Sequence, residues 1–302
     1  MMERPLPRST RATIAASFAV VCAVAGTLAG ALAFAPAVLL AQRGPAKPAG
    51  APVVTTSQRN ARRLVIVDAG HGGEDNGMRG RLPDGSSVYE KNINLSIAKK
   101  LADELKRRGF DVLMTRTRDT LIALADRGRI ANSAHGDLFI SIHVNAPGPG
   151  EPKPSAMRGF ETYFLAEAKT EEERRVESME NDAVRFETTV TPSADDPLAF
   201  IIKDLAQNEH LRESSEFANT IQLSLMHSHP GPSRGVKQAN FSVLRNAYMP
   251  AVLVETGFGT NGAEAYWLSS DSGQREIAAC IADATVDYLH NYDRRIGAFD
   301  QR

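Results

Sequence analysis

LVIVDAGHGG, residues Leu64–Gly73, is an apolar run that stops abruptly in small residues around one histidine. The run from Leu64 to Val67 is short enough for a buried strand, and the glycines behind it end the strand. His71 then stands just past the strand's carboxyl end, the edge of an open α/β sheet where loops converge on a ligand crevice. Gly70, Gly72 and Gly73 leave room for a close approach to the backbone. A histidine that merely caps a tight turn has the same local sequence, so partners elsewhere in the chain must decide between the two readings.

Downstream, HGGEDNGMRGRLPDGSSVYEKN is polar and Gly-rich and reads as loop as far as Glu90. From Lys91 the pattern changes: Ile93, Ile97, Leu101 and Leu105 mark one face of an amphipathic helix. Glu90 stands at its start, where a carboxylate meets the positive end of the helix dipole, and Gly109 stops it. Phe110–Thr115 reads as a strand, and Leu124, Arg127, Ile130 and Ala131 fit a short helix broken near Gly136. DLFISIHVNA, Asp137–Ala146, is again a strand ending in a histidine among small and polar residues, so His143 repeats the situation of His71.

A further strand, Gly159–Leu165, leads into residues 166–210, which interrupt the α/β pattern as an insertion. It holds the charge run EEERRVESMENDAVRFE (Glu171–Glu187), the turn-forming TPSADDP, and apolar residues at helical spacing from Leu198 to Leu205. A charge run is usually a solvated helix face. Leu211–Met226 reads as helix, Val236–Leu244 and Ala251–Phe258 as strands, and Glu276–Leu289 as a packed helix, leaving 293–302 as a tail. Glu255 falls near the carboxyl end of the last strand, AVLVETGF.

Upstream, Arg4, Arg8 and Arg11 precede a tract from Ala12 to Ala41 without a single charge, the pattern of an export signal. Small-residue cleavage sites follow Ala33 and Ala41, and the reading favours cleavage; the tract is also long enough to serve as an uncleaved membrane anchor. Arg43–Ala61 is rich in Pro, Ala and Gly and reads as a linker, so residues 42–61 separate the signal from a folded part that begins near Arg62. The net charge of −1 grows more negative on cleavage, which leaves no footprint for nucleic acid. Cys22 follows Val20 and Val21, a poor lipoprotein site, and only Cys280 survives cleavage, which excludes an internal disulfide and a cysteine-ligated zinc.

His71, Glu90 and His143 are good zinc ligands, and Glu255 is a candidate base. Two His and one Glu form one of the known catalytic zinc sets. Their spacing is too long for the one-helix HExxH arrangement, so what links them is position: strand ends and the start of the next helix adjoin in a parallel α/β layout. Each residue also has a plain structural reading. The histidines can be hydrogen-bonded turn residues, Glu90 a helix N-terminal carboxylate, and Glu255 a buried partner of Arg127 or Lys237. A single site would account for all of them, including a charge in an apolar strand that is costly if unpaired.

VIVDAGHGG with Glu90 downstream, LADRGRIAN (Leu124–Asn132), SIHVNA (Ser141–Ala146), RGVKQANFSVL (Arg234–Leu244) and VLVETGF (Val252–Phe258) together resemble the zinc-dependent N-acetylmuramoyl-L-alanine amidases of bacterial cell walls, in the periplasmic cell-division subgroup. The likeness runs in order from about Leu64 to Leu289; Val144 and Met78 are small departures that leave the chemistry untouched. The resemblance implies a twisted, mostly parallel sheet flanked by helices, in one catalytic domain over 62–292 carrying a helical regulatory insertion. It implies zinc ligands at His71, Glu90 and His143, a catalytic glutamate at Glu255, and hydrolysis of the amide between N-acetylmuramic acid and the L-alanine of the stem peptide. It also implies that the insertion covers the zinc until a partner with a LytM-like domain displaces it; no blocking residue can be matched, and a solvated decoration is the competing reading. Two other functions remain open: a zinc peptidase acting within the stem, and a wall-binding protein without activity.

Overall fold

The computed structural model describes residues 62–148, 153–187 and 197–299, with the side chains of 154, 197–209 and 298–299 excepted. The expected signal or anchor and the linker lie outside these residues, as do most of TPSADDP and the side chains of Leu198–Leu205.

Strand β1 (Leu64–Ala69) forms where expected, and a hairpin of β2 (Arg79–Arg81) and β3 (Ser87–Tyr89) follows in the stretch that reads as loop. Asp84 and Gly85 make its turn, with the Asp84 carboxylate accepting from the Ser86 N–H and Gly85 at φ 85°. Strands this short carry no periodic signal, so only the Asp-Gly turn was legible in advance. Helix α1 (Glu90–Arg107) buries Ile93, Ile97, Leu101 and Leu105 as the periodicity requires, and Gly109 ends it at φ 91°.

Then come β4 (Asp111–Met114), α2 (Leu124–Ser133), β5 (Leu138–Asn145), β6 (Phe160–Leu165), α3 (Glu171–Asn181), α4 (Pro197–Leu225) and β7 (Ser233–Ala239). The chain closes with α5 (Ser242–Arg245), β8 (Ala251–Phe258), α6 (Gly262–Ser269) and α7 (Asp271–Phe299). Three boundaries differ from the sequence reading. The strand expected over Val236–Leu244 stops at Ala239, because the chain turns at Asn240 and Phe241 drops into the core ahead of α5. Helix α4 runs without a break across His210, where the insertion was expected to end. Helix α7 continues through most of the expected tail, held by Arg295 on Glu213 and Glu216 of α4 and by Asp293 on Arg63.

The six-stranded sheet has the order β4-β1-β5-β8-β6-β7. Strands β4, β1, β5 and β8 run parallel to one another; β6 is antiparallel to β8 and parallel to β7, so two strands run the other way. The central strands read as continuous apolar runs because both faces are covered. Val65 and Val67 of β1, Ile140 of β5 and Val252 and Val254 of β8 pack beneath α1, α4 and α7, while Ile66, Phe139 and Leu253 between them pack on the other face with α2, α3 and α5. The carboxyl ends of β1, β5 and β8 are thereby brought to one edge. None of the described helices is long and apolar enough to cross a membrane.

Candidate metal centre

Each ligand candidate reaches that edge by a different route. His71 follows β1 in a left-handed conformation, φ 59°, unusual for a residue with a Cβ. Two buried arginines hold the turn: Arg127 donates to the carbonyls of Ala69 (2.8 Å) and His71 (3.0 Å), and Arg116 to those of Ala69 and Gly70 (both 2.8 Å). Arg127 is itself fixed by the fully buried Asp68 at 2.8 Å, which also accepts from Thr115 and Ser141. Burial alone would push the Asp68 carboxyl up, but the Arg127 charge and these hydrogen bonds outweigh it and hold it below its ordinary value. Arg127 therefore serves the loop, and Glu255 is not its partner.

The Asp75 carboxylate lies 2.7 Å from His71 Nδ1 and so aims Nε2 at the centre, the usual way an imidazole ligand is oriented. Glu90, at the first position of α1, does not cap its helix. Its carboxylate accepts from the N–H groups of Met78 (2.8 Å) and Val144 (2.9 Å) and from the Asn94 amide (3.1 Å), which turns Oε1 toward the histidines. His143 sits in β5 opposite Glu255 of β8. The packing here needs glycine: a Cβ on Gly70 would lie 2.4 Å from His143 Nε2, and one on Gly77 2.5 Å from Glu90 Oε2.

Glu90 Oε1 lies 3.1 Å from His71 Nε2 and 3.2 Å from His143 Nδ1. A fourth group joins them that sequence reasoning missed: Glu180 of α3 puts Oε2 3.1 Å from His71 Nε2 and 2.8 Å from His143 Nδ1. Donor atoms of His71, Glu90, His143 and Glu180 all lie within 4.8 Å of one another, and all four residues are buried. The separations are those of ion pairs, yet His71 Nε2, His143 Nδ1 and both Glu180 oxygens make no hydrogen bond among the described residues. Buried polar atoms are rarely left so. Burial disfavours protonated imidazoles, but Glu90 and Glu180 outweigh it at His71, and Glu180 above all at His143, which rises to about 10. The same negative field attracts a divalent cation, so two imidazoles and two carboxylates fit a metal ion in both donor type and electrostatics.

Glu255 is fully buried, and neither of its oxygens has a hydrogen-bond partner among the described residues. Burial, and after it the charge of Glu180, push its carboxyl well above the ordinary range. Lys237, its other suggested partner, instead meets Glu161 and Glu172. A carboxylate beside a cation centre with no hydrogen-bond partner among the described residues, its proton affinity raised by burial, is a candidate general base.

Glu180 was hidden because a charge run reads as a solvated face. The available signal was its period: Glu173, Val176 and Glu180 share one stripe of α3, and all three are buried. Thr170 and Glu173 form a capping box at the start of that helix. Along it, Arg175 donates to the Ala146 carbonyl at 2.9 Å, Glu177 accepts from the Asn240 N–H at 3.0 Å, and Asn181 accepts from the Ser242 N–H at 2.8 Å. Beyond α3, Glu187 accepts from the Leu124 N–H at 2.8 Å, capping α2. What space remains beside His71, His143 and Glu180 is a cavity of about 10 Å³, room for one water-sized particle and none for a peptide.

Residues 65–286 match the family described as N-acetylmuramoyl-L-alanine amidase. The chain is 34% identical over 242 residues to the N-acetylmuramoyl-L-alanine amidase AmiA of Salmonella typhimurium, covering 80% of this chain and 81% of that protein. It is 36% identical over 238 residues to the amidase AmiC of Neisseria meningitidis serogroup B, covering 77% of this chain and 54% of that one. Among solved structures, the N-acetylmuramoyl-L-alanine amidase from Clostridium difficile 630 superposes with a TM-score of 0.56 at 30% identity, over 76% of this chain and 97% of that chain.

Proposed function

The chain belongs to the N-acetylmuramoyl-L-alanine amidase family and hydrolyses the amide that joins the glycan of peptidoglycan to its stem peptide, and from that premise we propose that it works as a zinc enzyme restrained by its own insertion. The observation that carries the reading is the convergence of His71, Glu90, His143 and Glu180 beside the unpaired Glu255.

His71, Glu90 and His143 are the resident ligands, held by the turn after β1, the start of α1 and β5. A zinc ion there supplies a Lewis acid that polarises the scissile carbonyl and makes water a better nucleophile at neutral pH. Glu255 takes the proton of the attacking water and passes it to the departing alanine nitrogen. Burial raises its affinity for a proton, which suits the first transfer. Helix α3 and Glu180 form the restraint: Glu180 takes the position that water or substrate needs, and the helix leaves no room for a peptide. A partner with a LytM-like domain relieves the restraint by drawing α3 away. The uncharged tract from Ala12 to Ala41 supports export to the periplasm, where such an enzyme remodels the wall and separates daughter cells.

Zinc content and product analysis with defined muropeptides test the assignment. His143→Ala is expected to lose zinc. Glu255→Gln is expected to keep it while losing roughly 10² to 10⁴ in turnover, the scale of a general base. A free lactyl end in the product marks the amidase; a cut within the stem would mark a peptidase and sink the reading. A Glu255→Gln variant with full turnover would place the base elsewhere.

A further inference from the structure

Two cations at the edge of the metal centre serve one anion that stays and one that can leave. Glu161, fully buried in β6 and paired in register with Glu255, accepts from the Asn145 amide (2.6 Å), the Tyr163 hydroxyl (2.8 Å) and Arg234 Nε (2.9 Å), with Lys237 Nζ at 2.6 Å. Arg234 and Lys237, both on β7, turn their remaining donors to Glu172 of α3; Lys237 reaches it at 3.0 Å, and the Arg234 guanidinium pairs with its other oxygen. The Arg234 guanidinium also lies over the Phe258 ring, 5.1 Å from its centroid, at the end of the strand that carries Glu255. While α3 is docked, two positive charges face two negative ones. Once α3 leaves, Glu161 alone remains, and the arginine and lysine face solvent beside the catalytic glutamate with one charge uncompensated.

We infer that Arg234 and Lys237 form a carboxylate-binding subsite for the stem peptide, covered in the restrained state by Glu172 acting as a stand-in for the substrate's carboxylate. This rests on the amidase reading. Glu172 and Glu180 lie about two turns apart on α3, roughly 12 Å along its axis. An extended peptide covers about that distance in three to four residues. The subsite therefore reads a carboxylate near the third residue of the stem, while the scissile amide occupies the position held by Glu180. Arginine and lysine together suit such a group, because charge-assisted hydrogen bonds are the strong ones. The insertion thus blocks hydrolysis and substrate recognition with a single helix.

The test compares two muramyl tetrapeptides that differ only at the third residue, diaminopimelate, whose side-chain carboxyl is free in one and amidated in the other. Both are assayed with the full chain, with and without Glu172→Gln. The fraction of molecules with α3 displaced multiplies both kcat/KM values alike, so their ratio reports the subsite alone. The ratio is expected to favour the free carboxylate by roughly tenfold or more, the scale of one charge-assisted hydrogen bond. Lys237→Met should bring it close to one at unchanged zinc content, with Arg234 still neutralising Glu161. Glu172→Gln should raise both kcat/KM values by the same factor and leave the ratio alone. A wild-type ratio of one, or a ratio that Lys237→Met leaves unchanged, overturns the subsite. Cleavage of either compound within the stem, rather than at the lactyl amide, overturns the amidase reading itself.

Discussion

His71 keeps a backbone conformation that costs a residue with a Cβ on the order of 1 kcal/mol, and it does so because Arg127 and Arg116 seize the carbonyls on either side of the turn. The imidazole is then aimed by Asp75 at 2.7 Å. Asp75→Asn keeps the size of the side chain but removes the charge that fixes the ring and raises its basicity. It is expected to weaken zinc binding by about 10- to 100-fold without unfolding the chain. Competition with a chromophoric chelator measures this, and unchanged affinity would show that the loop alone orients His71.

At the scale of the element, α3 is a helix of strongly charged composition held by contacts of its own. Its capping box, its hydrogen bonds to the turn after β7 and the seat of Glu180 all favour the docked position. Glu180→Ala removes one carboxylate from the centre and leaves the three proposed ligands, His71, Glu90 and His143. Zinc content should hold while muropeptide release rises, approaching a hundredfold if the displaced state is near 1% at rest. Thr170→Ala acts far from the centre: loss of the cap costs α3 about 1 kcal/mol, and basal release should rise about fivefold. Equal rates in wild type and both variants would reduce α3 to a passive cover. An experiment that removes the insertion should spare α4, which crosses His210 and buries its own Phe217, Ala218, Ile221 and Leu225 in the core.

For the whole molecule, Asp68 ties β1 to Thr115 just past β4, to Ser141 of β5 and to Arg127 of α2, and couples the fold to pH. The Asp68 carboxyl lies below its ordinary value when folded, so its contribution is fully present above about pH 4, the unfolded value, and is lost as pH falls toward the folded one. The melting temperature should therefore drop in that acid window. Asp68→Asn should lose roughly 3–5 kcal/mol of stability at neutral pH, the cost of a broken buried pair, so it should melt lower there and lose less on acidification. A wild-type melting temperature flat through the window would contradict the role given to Asp68.

The sequence by itself determined the α/β class, the principal helices and strands, and three of the four groups at the centre. Buried strands in a parallel sheet write continuous apolar runs, and an amphipathic helix writes its period, so β1, β5, β8 and α1 were legible residue by residue. His71 and His143 end such runs and Glu90 opens a helix, but each also has a plain structural reading, and it was the ordered motifs of the family resemblance that singled the three out together. Tertiary structure alone decided which readings of those residues held. It gave Arg127 to Asp68, left Glu255 without a hydrogen-bond partner among the described residues, and reversed β6 and β7 against the other strands. It also decided Glu180. Nothing in EEERRVESMEN says which glutamate of many turns inward, because that depends on where the helix lands on the sheet edge, and the contacts that fix the landing come from β7 and the turn after it, some sixty residues further along the chain.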